Sequence, residues 1–98
     1  MARYTFNELL HLLEQDGASY DQGRRRMLSN AVRFWDRIVE IARTHTDPIV
    51  RAKLIGVIAG AKKIPLSQRR AALEQLLATE THEVPLRSLR YILTHSLR

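Results

Sequence analysis

Along this chain the apolar residues recur at three and four positions rather than two, which predicts helices and no strand. Phe6, Leu9, Leu10 and Leu13 make a first stripe, opened by Thr5 and Glu8 at capping-box spacing and closed near Gly17. A longer stripe starts at Ser19 and Gln22, a second capping-box pair. It runs through Met27, Leu28, Ala31, Val32, Trp35, Ile38, Val39 and Ala42 to about Thr44, with Gly23 as the expected point of any kink. The third helix opens at Asp47, a good cap, and Pro48, whose missing N–H has no partner at a first helical position anyway. From Leu54 to Ala61 every residue is apolar or Gly, so this helix is expected to be buried on more than one side. Gly56 and Gly60 are expected to admit a close neighbour.

After "KKIPLS", with Ser67 as cap, a fourth helix carries Ala72, Leu73, Leu76 and Leu77. After "TETHEVP", Pro85 opens a fifth, with Leu86, Leu89, Ile92, Leu93 and Leu97 inward. Connections this short predict antiparallel helical hairpins, hence an all-α fold of about five helices in one domain over residues 1–98. Within it, residues 1–18 form a peripheral first helix, 19–46 the long helix, and 47–98 the core and the C-terminal helix.

Laying "RIVEIARTHTDPIVRAKLIGVI" over "ALEQLLATETHEVPLRSLRYIL" reveals an internal repeat 35 to 36 residues apart, in which each copy reads helix, polar turn with His, Pro, Arg, apolar helix. "DPIVRAKLIGVIAG" resembles the second helix of a HEAT repeat: an Asp-Pro turn, Val-Arg shortly after it, and an apolar helix ending near Gly. The second copy departs from that pattern, with Glu83 at the Asp position and Pro85 displaced by one. The resemblance covers residues 34–95 and implies a binding scaffold in a compact or HEAT-like stack. Two copies are fewer than a solenoid needs, so residues 1–33 are expected to supply a cap, unless a partner does.

Charge alters the picture more than composition does. Sixteen Lys and Arg against ten Asp and Glu give +6, and thirteen of the sixteen are Arg. Arg presents a planar fork of donors suited to carboxylates, phosphates and aromatic faces, so the bias predicts an acidic partner, either a protein surface or nucleic acid. Three clusters stand out: Arg24, Arg25 and Arg26; Lys62, Lys63, Arg69 and Arg70 around one turn; and Arg87, Arg90, Tyr91, Thr94 and Arg98 along one face of the last helix. Trp35, Tyr20 and Tyr91 are candidate anchors, with Trp35 placed in the core by its stripe. Pro65, in a basic turn, is a candidate conformational switch.

Chemistry is harder to find. With no cysteine there is neither a disulfide framework nor a thiolate nucleophile, a composition that suits a reducing cytoplasm. The four histidines are scattered, so no metal site is expected; His45 and His82 read as turn or capping residues. Asp36 and Glu40 are explained by ion pairing with Arg33, Arg37 and Arg43 on their own helix. No activated Ser and no phosphate loop is present, so the expectation is no enzyme, no catalytic residue and no cofactor. The N-terminal apolar run is too short for a membrane span.

These features predict a protein that docks on a larger protein complex, with direct DNA or RNA binding through the Arg-rich helix ends as the alternative. By size and character alone, the whole chain is similar to the small phage-encoded modulators of host machines, such as the anti-RecBCD accessory proteins of lambdoid phages. That resemblance implies a host-virus interaction in the host cytoplasm, with the host RecBCD helicase-nuclease as partner and DNA recombination as the process modulated.

Overall fold

The computed structural model describes residues 3–97, which form six α-helices and no strand. They are α1 (Phe6–Leu13), α2 (Gly17–Ser29), α3 (Ala31–Thr44), α4 (Pro48–Gly60), α5 (Leu66–Thr79) and α6 (Glu83–Tyr91), and a π-helical turn (Ile92–Ser96) follows α6. Arg98, assigned above to the third basic cluster, lies outside the described residues.

Several starts are set by the local chemistry expected of them. Thr5 and Glu8 form the reciprocal capping box of α1, and Asp47 accepts from the Ile49 N–H with Pro48 at the head of α4. Others differ. The α2 helix begins before Ser19, at Gly17, whose φ of +65° is a left-handed conformation that favours Gly. Pro65, not Ser67, occupies the cap position of α5, and α6 starts two residues before Pro85, capped by the His82 ring.

The expected long helix is two. The chain bends at Asn30 (φ −110°, ψ 19°), whose side-chain amide donates to the Arg26 carbonyl at 2.7 Å and so supplies an alternative to helix continuation. Gly23 is buried inside α2 and its role is contact: a Cβ there would lie 2.8 Å from the Leu13 nitrogen and 2.9 Å from the Leu12 Cβ. Only a bare backbone lets α1 settle on α2 at this distance. Gly56 has no comparable neighbour, and Gly60 meets Leu28 at ordinary van der Waals range.

The helices pair as three successive hairpins, α1/α2, α3/α4 and α5/α6, stacked so that α4 lies against α2 on one side and α6 on the other. The second and third hairpins coincide in length: α3 and α5 start 35 residues apart (Ala31, Leu66) and end 35 apart (Thr44, Thr79), as do the starts of α4 and α6 (Pro48, Glu83). The central α4 buries Val50, Leu54, Ile55, Val57 and Ile58, which requires apolar residues around most of its circumference. Far from being peripheral, α1 buries Phe6, Leu9 and Leu13 in the same core. Among the described residues, no helix is long and apolar enough to cross a membrane.

Candidate functional site: a basic face on α1, α2 and α3

Each hairpin turns through three residues, with Glu14, His45 and Glu80 ending the first helices and Asp16, Asp47 and His82 preceding the second ones, of which Asp47 and His82 cap with their side chains. Bonds run from turn to turn. The His45 Nδ1 accepts from the Asp47 N–H at 3.0 Å, so the ring proton sits on Nε2 and is donated to Glu14 Oε2 at 2.7 Å. From α4, Arg51 donates to the His45 carbonyl and forms a two-pronged pair with Glu80, at 2.9 and 3.0 Å. Lys53, also from α4, donates to the Leu13 and Gln15 carbonyls. Both cations thus satisfy carbonyls that helix ends leave without a partner. Burial alone would raise the Glu80 carboxyl; the Arg51 hydrogen bonds, the His82 and Thr81 N–H groups and the Arg51 charge outweigh it and hold Glu80 below the usual carboxylate range.

The predicted basic clusters divide between similar clamps and free charge. Arg69 is half-buried and donates to the Ile64 and Ala59 carbonyls at 2.9 Å, closing the end of α4, while Arg70 reaches the Leu97 carbonyl at 3.1 Å. Arg24 is half-buried with its guanidinium near Gly60. Arg25 and Arg26 are exposed, and Lys63 reaches the Ser29 carbonyl at 3.3 Å, which brings the first cluster and the exposed pair Lys62 and Lys63 to one region around the α2–α3 bend. Arg87, Arg90 and Tyr91 are exposed on α6; Arg87 pairs with Glu83 at 3.4 Å and the Tyr91 ring lies 5.1 Å from the His95 ring. No hydrogen bond or ion pair among the described residues joins this last group to the others. Pro65 is exposed, and the bond preceding it is trans.

Beside the α2–α3 bend lies a group that sequence reasoning left out. Arg26 lies over the Tyr4 ring at 4.5 Å, Arg33 over Phe34 at 4.4 Å and Arg37 over Phe6 at 5.0 Å. Arg33 also donates to the Tyr4 carbonyl, and the Phe6 and Phe34 rings meet edge to face at 5.7 Å. Each of the three exposed guanidiniums thus rests against a ring, each such contact contributing about 0.5–1 kcal/mol. None of the three lies within 4 Å of a carboxylate among the described residues, so the expected pairing of Arg33 and Arg37 with Asp36 and Glu40 is not formed. The signal was Arg33 and Arg37 four apart, with an aromatic residue next to one of them and Tyr4 and Phe6 at the start of the chain.

Trp35 is half-buried rather than core. Tyr20, another candidate anchor, is half-buried beneath the Lys53 ammonium at 4.8 Å. Among the described residues, no three His, Asp or Glu side chains come together as a metal-holding group. The chain matches no protein-family model, no curated protein and no solved structure.

Proposed function

We propose that this chain is a non-enzymatic binding module that docks on an acidic surface of a larger protein through the basic face of α1, α2 and α3. The observation that carries the reading is the set of Arg26, Arg33 and Arg37, exposed, backed by aromatic rings and without carboxylate partners among the described residues. Arg held against aromatic rings loses little freedom on binding, and Arg and aromatic residues dominate interface hot spots. Exposed Arg25, Lys62 and Lys63 extend the same charge and steer an acidic partner toward it. Arg69 and Arg70, engaged with carbonyls of their own chain, have no part in this docking.

A HEAT-like stack fits the reading, supported by the 35-residue coincidence of the second and third hairpins and by a first hairpin that supplies the third layer. The resemblance to phage-encoded modulators adds the host RecBCD complex as one candidate partner. Direct binding of DNA or RNA is the second reading, favoured by the same guanidiniums because they suit phosphates equally well.

The test is capture of partners on the tagged full chain, with and without nuclease, comparing wild type with the triple variant Arg26→Glu, Arg33→Glu and Arg37→Glu. A stoichiometric protein that survives nuclease and is lost with the triple variant is the expected result. Partners that vanish with nuclease, together with an affinity falling by roughly one log unit per log unit of salt for each phosphate contacted, make nucleic acid the ligand instead.

A further inference from the structure

Between α3 and α5 runs a groove made of two clefts, of about 560 Å³ and 410 Å³, that share Trp35, Asp36 and Gln68. Along α3 it extends from Val32 to Arg43, which at 1.5 Å per residue is about 16 Å, or three turns of a helix. Apolar side chains run along its base, Trp35 and Val39 half-buried and Ile64 and Ala72 buried, among polar neighbours. On the α5 side it is lined by the exposed Gln68, Ala71 and Gln75, and Val32 stands 63% exposed at its mouth.

The groove is also electrically lopsided. Arg33, Arg37 and Lys63 surround the mouth, and none of them is within 4 Å of a carboxylate among the described residues. Asp36 borders both clefts, and farther along lie Glu40 and Arg43, charges that roughly cancel. Two adjoining clefts spanning three turns, with Trp35, Val39, Ile64 and Ala72 along them, suit the apolar stripe of a helix, with anchors at three- and four-residue spacing. Three cations against the one carboxylate of Asp36 leave that end net positive, which calls for carboxylates on the turn that lies there.

We infer that this groove seats an amphipathic helix of the partner, with bulky apolar side chains over Trp35 and Val39 and Asp or Glu on the turn facing Arg33, Arg37 and Lys63. The inference rests on the docking reading and specifies what part of the acidic partner is held.

The test uses a displayed library of helical peptides of roughly 14 residues, panned against the full chain. Trp35 is the chain's one tryptophan and lines both clefts, so its emission reports occupancy directly. Expected are enriched peptides with an apolar stripe and carboxylates at one end, a saturable blue shift of Trp35 emission, and affinity at least about tenfold weaker for Gln68→Phe, which fills the shared section. Gln75→Phe, also exposed and farther along the groove, is the substitute if Gln68→Phe loses its helical circular dichroism. No enriched peptide, peptides without carboxylates, or binding unchanged by the filled groove overturns the inference. A protein partner that is retained by Gln68→Phe but lost by the triple Arg variant overturns the groove alone and leaves the docking reading standing; no protein partner for wild type removes both.

Discussion

Arg51 and Arg33 are the same side chain in opposite circumstances. Arg51, with 14% of its side chain exposed, spends its donors on Glu80 and the His45 carbonyl at the hairpin turns. Arg33 stands in solvent at the α1–α3 face, bound to one carbonyl and the flat of a ring. The contrast extends to their neighbours: Lys53, Arg69 and Arg70 close helix ends, while Arg26, Arg37 and Lys62 hold no carbonyl or carboxylate among the described residues. Net charge counts these alike, yet only the second set is at liberty to meet something else.

The largest effect is therefore expected at the turns. Arg51→Ala leaves Glu80 in a largely covered site without its cation and should destabilise the fold by about 3 kcal/mol, seen as a clear fall in the urea midpoint. A midpoint unchanged within error would place Arg51 in the same class as Arg33. Next, Gly23→Ala forces α1 off α2 and should cost about 2 kcal/mol as overpacking. Because α1 carries the ring under Arg37, the same change should weaken partner binding without altering any charge; binding at wild-type strength would sever that link between packing and face.

A smaller effect appears in acid. The folded Glu80 carboxyl is lowered, so its stabilisation is complete above the ordinary glutamate value near ~4.3 and is lost as pH falls through the lower folded value. Urea unfolding at stepped pH should show wild type losing stability below that point more steeply than Glu80→Gln, and parallel curves would contradict it. Last, Arg33→Ala with Arg37→Ala should cost no more than about 2 kcal/mol, since the pair removes two exposed stacking contacts and the Arg33 bond to the Tyr4 carbonyl. A larger loss would mean that the face is structural, as the turns are.

Much of this architecture was legible from residue spacing. The Thr5–Glu8 box, the Asp47–Pro48 start and the burial of α4 on more than one side are local or periodic signals, and the structure carries all three, although Gly56, Ala59 and Gly60 of the apolar run are only partly buried. The break at Asn30 was hidden because Met27 and Ala31 keep helical spacing across it, while Gly23, the obvious candidate, serves a neighbour instead. The basic face was harder still. Sequence shows where a guanidinium is attached, but whether it ends on a carbonyl 10 residues away, as Arg69 does on Ala59, or over a ring 31 residues away, as Arg37 does on Phe6, depends on tertiary placement. His45 and His82 both sit at turns, as expected, because a ring accepting an N–H two residues on is a local arrangement, but not at equivalent positions: His45 follows α3, whereas His82 precedes α6, where Asp47 precedes α4.

The central position of α4 has a consequence for cooperativity. It packs against α2, α3, α5 and α6 and reaches the end of α1 through Lys53, so the outer hairpins communicate chiefly across it. The middle hairpin thus has neighbours on both sides, whereas each outer hairpin has most of its contacts on one side. Fraying can begin at either outer hairpin while the middle persists, and the amide hydrogens of Leu54 to Ile58 should be the last to exchange with solvent.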